Sequence, residues 1–307
     1  MQKNTIIVVG SSNTDMIIQV DRIPKPGETI LGGQFASAAG GKGANQAVGA
    51  ARAGGNVLFI ARVGQDMFGE KAVAGFIADG IDVQYIVKDT TLPSGVALIF
   101  VGGDGENSIA VASGANARLI PGDVQKAREA FETVGVLLLQ LEIPLETVIA
   151  AADIAAEAGV KVILNPAPAQ PLPDSLLNKL YLLTPNESEA ELLTGIPVKD
   201  ETGARAAAEC LLSRGVQHVI ITLGSRGALV ADAQGCRFIP AFKVKPVDTT
   251  AAGDIFNGAL AVALAEGLTL DDAARFASAA AAISVTRLGA QTSAPTRSEI
   301  DAWLPRE

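Results

Sequence analysis

From about Pro121 onward, apolar β-branched runs alternate with amphipathic helical stretches at a spacing that few folds accept. The pattern predicts helix 122–132, strand 135–141, helix 145–158, strands 160–164 and 180–184, helices 187–194 and 201–214, and strand 217–222. Strands separated by helices at this distance form a parallel sheet covered on both faces. Each strand exits into polar residues: Gln140 and Glu142, then Asn165, then Thr184 and Asn186, then Thr222 with Gly224, Ser225 and Gly227. Ligands of open α/β sheets bind beyond the carboxyl ends of the strands, so these exits form one line of contacts. The fold expected is α/β, a doubly wound, mostly parallel sheet with helices on both faces.

The first third adds a smaller unit. Thr5–Val9 is a buried strand ending in Gly10-Ser11-Ser12-Asn13-Thr14-Asp15, where Asn13 and Asp15 face a crevice. Met16–Val20 and Thr29–Phe35 read as strands around the turn Pro24-Lys25-Pro26-Gly27-Glu28. Gly95–Val101 and Asn107–Ala112 flank Gly102-Gly103-Asp104-Gly105-Glu106, a hairpin signal. Segments of about 14–36 and 94–112 are therefore expected to pair as a four-stranded lid inserted into a single domain spanning 1–307. One apolar face of such a sheet must cover the site or another subunit, which predicts a homodimer clasped through the lid. Between these segments, Gly40-Gly41-Lys42-Gly43-Ala44-Asn45-Gln46-Ala47 opens a helix to about Ala53, followed by strand 57–63, helix 68–78 and strand 83–87. That glycine run is neither a Walker A loop nor a dinucleotide fingerprint; it fits a helix start or a ligand loop equally.

Charge narrows the partners. With 24 basic and 33 acidic residues the formal charge is −9, so no basic field gathers nucleic acid or an anionic membrane. An anionic substrate has to be held by local groups. Cys210 and Cys236 lie far apart and His218 is the single histidine, which argues against structural zinc or a disulfide framework. The reading is a cytoplasmic protein. Residues 1–10 lack a signal-peptide pattern, and the alanine-rich run 276–285 is too short to cross a bilayer.

Asp248-Thr249-Thr250-Ala251-Ala252-Gly253-Asp254-Ile255-Phe256-Asn257-Gly258-Ala259 carries the chemistry. Helical periodicity begins at Gly253, with Phe256, Leu260 and Leu264 on one face, so Asp254 sits in the first turn. The unpaired N–H groups of a first turn attract an anion, and Ala251, Ala252 and Gly253 have no bulk to keep one away. An aspartate there suits a helix cap, or a base that takes a proton from a hydroxyl attacking a phosphate.

With these two stretches in place, the chain resembles the ribokinase family of sugar kinases, also called the phosphofructokinase B type, over nearly its whole length. The resemblance rests on Gly40–Ala47 and Asp248–Gly258, joined by Gly10–Asp15, Pro26-Gly27-Glu28-Thr29, Gly105-Glu106-Asn107 and Ser113-Gly114-Ala115-Asn116-Ala117. It implies ATP-dependent phosphorylation of a sugar hydroxymethyl group, yielding ribose 5-phosphate if the sugar is ribose. Asp254 matches the family's catalytic base and the amides of Ala251, Ala252, Gly253 and Asp254 its anion hole. Asn13, Asp15, Gly41, Lys42, Asn45 and Glu142 match the sugar-binding positions, although Lys42 alone also fits a solvated surface residue. The resemblance assigns Asn186, Thr222, Gly224, Ser225, Gly227, Ala252, Gly253 and Ser278 to the nucleotide. Glu189, in Asn186-Glu187-Ser188-Glu189, matches a motif linked indirectly to Mg²⁺, with an ordinary first-turn acid as the alternative. A potassium or other monovalent-cation site maps to Asp248, Thr250, Ser284, Arg287, Gly289 and Ser293, largely through backbone carbonyls.

Three alternatives stay open on sequence. A kinase of the same fold acting on deoxyribose, fructose or a nucleoside shares the phosphate machinery. A non-catalytic sugar or nucleotide sensor has no need of Asp254. A nicotinamide-dependent dehydrogenase lacks its glycine fingerprint here.

Overall fold

A computed structural model describes residues 5–104 and 106–304. In chain order the elements are β1 (Thr5–Val9), β2 (Asn13–Gln19), β3 (Gln34–Gly40), α1 (Lys42–Arg52), β4 (Asn56–Gly64), α2 (Met67–Ala78), β5 (Ile86–Asp89), β6 (Gly95–Val101) and β7 (Asn107–Ala112). The second part follows with α3 (Pro121–Gln125), β8 (Val136–Leu139), α4 (Leu145–Glu157), β9 (Lys161–Leu164), α5 (Asp174–Leu177), β10 (Leu182–Leu183), α6 (Glu187–Thr194) and α7 (Glu201–Ser213). The chain then runs through β11 (His218–Thr222), β12 (Ala228–Asp232), β13 (Gly235–Ile239), α8 (Ala252–Ala265), α9 (Leu270–Ser284) and α10 (Arg297–Trp303).

Nine strands form one sheet in the order β13-β12-β11-β10-β9-β8-β1-β4-β5. Pairing is parallel from β11 to β5, and antiparallel only where β12 and β13 extend one edge. β1 shows why a continuous β-branched run suits this position: Ile7 and Val9 join one core, Ile6 and Val8 the other, and all four are fully buried. The first core packs the sheet against α4, α6 and α7, and the second against α1, α8 and α9. From β1 the chain progresses outward through β4 and β5, then restarts at β8 and progresses the other way. The crevice between β1 and β8 is thus a topological switch point, where such sheets bind ligands.

α8 is the central helix. Every residue from Asp254 to Ala265 is buried, as an all-round apolar helix requires. α1 lies close against it, because a Cβ on Gly258 would stand 2.6 Å from the Gln46 carbonyl oxygen.

A separate four-stranded sheet has the order β3-β2-β6-β7, with β2 and β6 parallel and the outer pairs antiparallel. Phe35, Leu98, Ile109 and Val111 are all at least half exposed on it. The sequence pattern misplaces one of its strands. Thr29–Phe35 was expected extended, but Gly32 and Gly33 adopt φ of 100° and 103°, and the strand begins only at Gln34. Gly105 of the hairpin and Met1–Asn4 lie outside the described residues. Helix 122–132 also divides, into α3 and a 3₁₀ turn at Arg128–Glu132. Pro121 pre-sets the first turn of α3, and Asp123 closes it by accepting from the Ile120 amide.

Candidate active site

The mouth of α8 is built by an unusual backbone. Ala251, its N-cap, has φ 59°, the only positive φ among the described residues other than glycine. This left-handed turn drives the chain into the helix with no side-chain cap. The Ala252 N–H reaches the Thr249 carbonyl at 3.2 Å, whereas those of Gly253 and Asp254 have no partner among the described residues. A Cβ added at Gly253 would meet nothing within 4 Å. An open, dipole-focused pair of amides is the arrangement that takes a phosphate oxygen.

Asp254 does not cap this helix. It is 6% exposed, and its carboxylate turns toward α1: Oδ2 accepts from Asn45 Nδ2 and Oδ1 from Gln46 Nε2, each at 3.0 Å. Burial raises its pKa above the ordinary carboxylate value, opposed by the Lys42 charge and the two amides and assisted by Glu142. Such a carboxylate has a strengthened proton affinity and fixed lone pairs, which suits proton acceptance.

α1 delivers its residues to this point through a tight junction with the β1–β2 connection. Gly41 has φ 89°, and a Cβ on it would stand 2.7 Å from the Asn13 amide nitrogen. Glu142, at the exit of β8, accepts from Ser11 Oγ at 2.5 Å and from the Lys42 amide at 2.9 Å. Asp15, on β2, has its pKa raised to about 6 by burial and by the charges of Glu142 and Asp254. Asn13 Oδ1 accepts from Asn116 Nδ2 at 2.7 Å, which leaves the Asn13 amide hydrogens to point elsewhere. The Oδ1 of Asn45 is buried with no partner among the described residues, an acceptor left open for a donor from outside the chain. Asn13, Asp15, Gly41, Lys42, Asn45 and Glu142 therefore do gather around Asp254, joined through contacts across the β1–β8 crevice. A cavity of about 430 Å³ opens beside Asn13 and Glu142, walled by Asn116 and Leu145.

A second cavity, of about 560 Å³, reaches the α8 mouth at Ala252 and Gly253. Asn186, Thr222, Gly224, Ser225, Gly227, Ala252, Gly253 and Ser278 all line it. Phe242, Val244, Ala281 and Val285 give it an apolar wall that sequence reading missed. Phe242 and Val244 lie in a segment with no regular periodicity, and Ala281 and Val285 read only as helix interior. Asn186 and Glu189 form a reciprocal capping box at the start of α6, so one Glu189 oxygen is used by the Asn186 amide at 2.8 Å. Burial raises the Glu189 pKa, and the Lys42 and Asp254 charges both act on it, so Glu189 does belong to this neighbourhood.

Behind the first turn of α8, Asp248 accepts from the amides of Thr250 and Gly289 at 2.9 and 2.8 Å, stitching two loops together. The Ser284 and Ser293 hydroxyls bond the Ala281 and Ala290 carbonyls, and the Arg287 guanidinium pairs with Glu299. Arg287 is thereby paired, and the backbone, hydroxyl and Asp248 carboxylate oxygens of this group are hard donors, a chemistry that fits a hard cation.

Residues 3–297 match the family described as pfkB family carbohydrate kinase. The ribokinase of Haemophilus influenzae is 48% identical over 98% of this chain and 99% of its own length. The deoxyribokinase of Salmonella typhi is 39% identical, covering 97% of this chain and 98% of its own. Among solved structures, that of Arabidopsis thaliana ribokinase, described as complexed with ribose and ATP, aligns at a TM-score of 0.92 with 35% identity over 97% of both chains. The match in family, length and site geometry leads to one conclusion: this chain belongs to the pfkB family of carbohydrate kinases.

Proposed function

We propose that this chain is an ATP-dependent ribose kinase that converts ribose to ribose 5-phosphate. The observation that carries the reading is a buried carboxylate, Asp254, held by Asn45 and Gln46 in the same helix turn as two amides without partners among the described residues, at a mouth that borders the larger cavity. The sugar's 5-hydroxyl lies between Asp254 and the γ-phosphate of ATP. Its oxygen attacks phosphorus, the bond to the β,γ-bridging oxygen breaks with its electron pair leaving on ADP, and the hydroxyl proton passes to Asp254. The amides of Gly253 and Asp254 stabilise charge on the transferring group, and Ala251 and Ala252 shape their approach. Asn13, Asp15, Gly41, Lys42, Asn45 and Glu142 hold the sugar. Its hydroxyls find the open Asn45 acceptor and the Asp15 and Glu142 carboxylates.

The apolar wall of the larger cavity takes the adenine near Ser278, and Thr222, Gly224, Ser225 and Gly227 border the rest of the nucleotide. Asn186 and Glu189 would hold a hydrated Mg²⁺ brought with ATP, and such an ion would supply neutralisation of phosphate charge. A monovalent cation, potassium, fits the oxygens around Asp248, Thr250, Ser284, Arg287, Gly289 and Ser293, where it would hold the α8 mouth in shape. Segments 14–36 and 94–112 act as a lid on a single domain and exclude water on closing. The exposed apolar side chains of that lid support a homodimer, and light scattering that finds only monomer at micromolar concentration would sink this part. We place the enzyme in the cytoplasm; among the described residues no helix is long and apolar enough to cross a membrane.

The test is a sugar panel of ribose, deoxyribose, fructose and a nucleoside with ATP, with and without K⁺, read as ADP release. Ribose is expected to give the highest kcat/KM, and a preference for deoxyribose would reassign the substrate. Asp254→Asn is expected to lower turnover roughly 10²- to 10⁴-fold with ATP binding retained. Turnover within a few-fold of the parent would remove Asp254 from its role.

A further inference from the structure

Behind Asp254 lies a file of buried polar side chains that the transfer reaction does not itself require. Gln46 is fully buried. Its Nε2 donates to Asp254 Oδ1 and to Asn165 Oδ1, each at 3.0 Å, and its Oε1 accepts from Gln140 Nε2 at 2.6 Å. A flipped Gln46 amide would set its oxygen against two acceptors, and a flipped Gln140 would oppose two oxygens. One orientation alone satisfies Gln46, although Gln140 Oε1 stays without a partner among the described residues. From Asn165 the file continues: its Nδ2 donates to the Thr184 carbonyl at 3.0 Å, and Thr184 Oγ1 donates to Asn257 Oδ1 at 2.6 Å. Asn257 Nδ2 then donates to the Gly253 carbonyl at 2.8 Å. The file starts at the carboxylate and ends on the peptide of the α8 mouth.

We propose that Gln46 is a positioning residue: its amide fixes the Asp254 carboxylate relative to the amides of the α8 mouth, through a closed circuit that passes by way of Asn165, Thr184 and Asn257. The inference rests on Asp254 being the proton acceptor. Gln46 is fully buried and lines neither cavity, so it acts through Asp254. Its N–H also favours the ionised carboxylate, against burial. The other charges facing Asp254 are Lys42, which favours ionisation, and Asp15, Glu142 and Glu189, which oppose it.

The experiment is steady-state kinetics of the full chain with ribose and ATP, from acidic to alkaline pH, on Gln46→Met, Gln46→Glu and Asp254→Asn. Gln46→Met removes the donor at similar volume. It is expected to lower kcat roughly 10- to 10²-fold, as a carboxylate misplaced by an ångström would, with KM for ATP unmoved. The acidic limb of its kcat profile is expected to rise by about one pH unit, because the ionised base has lost a hydrogen bond. Gln46→Glu keeps the chain length and the contact with Gln140 and sets a second carboxyl against Oδ1. It moves the same limb further, and it decides the matter if Gln46→Met does not fold. A parental acidic limb in the folded variants, whatever their melting temperatures, overturns the proposal in favour of a packing role. If Asp254→Asn retains parental turnover, the base assignment itself has failed; if it is inactive while both Gln46 variants behave as the parent, only the present inference has.

Discussion

Two helices begin at this site in nearly the same way and end up doing opposite things. α1 and α8 both follow an N-cap of positive φ, Gly41 at 89° and Ala251 at 59°, and neither has a side-chain cap on its own first turn. At α1 the amides are already spoken for. Lys42 N–H goes to Glu142, Gly43 N–H to Ser11 Oγ at 3.3 Å, and Ala44 N–H to the Ser11 carbonyl at 2.8 Å. At α8 the amides of Gly253 and Asp254 have no partner among the described residues, and the space beside Gly253 is open. A helix terminus is an anion site only where the fold withholds internal acceptors. The α1 terminus instead serves as a joint that presents Asn45 and Gln46 one turn further on.

Substitutions that exchange the characters of the two termini test this contrast. The largest effect is expected from Gly253→Asp. An acid in a first turn ordinarily favours its helix, and here its Cβ meets no atom, so the melting temperature should hold. ATP affinity should nevertheless fall roughly 10²-fold or more, since the new charge faces the phosphates at close range. Isothermal titration beside a thermal melt separates the two, and ATP bound as tightly as before would refute the anion site. At the other terminus Gly43→Ala is expected to cost stability, about 1–3 kcal/mol by overpacking, because its Cβ would stand 2.5 Å from the Ser11 amide nitrogen. An unchanged denaturation midpoint would mean that this joint yields.

A smaller effect concerns the charge that occupies α1. Glu142→Gln removes one of the groups that raise Asp15 to about 6, so the Asp15 titration followed by NMR should move down. The sign for stability follows. A carboxyl whose folded pKa exceeds its unfolded value binds its proton better when folded, so its contribution is greatest below about pH 4 and is lost as pH rises through about 6. Glu142→Gln should flatten that loss. The smallest change is Ala251→Gly. Relief of a left-handed alanine, set against the extra freedom of an unfolded glycine, should leave the protein more stable by up to about 1 kcal/mol. Destabilisation would show that the Ala251 methyl packs usefully.

The sequence carried most of the frame because the frame obeys periodicity. β8 throughout, β1 after Thr5 and β9 after Lys161 are unbroken apolar runs, and their polar exits announce the crevice before any coordinate is known. The small sheet was less legible: β3 is Gln-Phe-Ala-Ser-Ala-Ala-Gly, with no apolar alternation, and its pairing with β2 decides its extent. Most candidate site residues came from the polar strand exits and from the stretches 40–47 and 248–259. The hydrogen-bonded file behind them was not legible, because Gln46, Asn165, Thr184 and Asn257 come from separate elements and a local pattern records no contact over 119 or 208 positions. Polar residues within buried segments were the one signal available. The cap reading of Asp254 fell for the same reason, since Asn45 and Gln46 reach its carboxylate only across the α1–α8 crossing.

Asn13 is the first residue of β2, and Asp15 lies two positions along the same strand. Glu142, Asn45 and Asp254 hang instead from the nine-stranded sheet and its central helices. A molecule gripped by both groups would therefore work as a strut between the two sheets. Occupancy of the crevice would then bear on the tilt of the smaller sheet by direct mechanical linkage, with no intermediary segment to relay it.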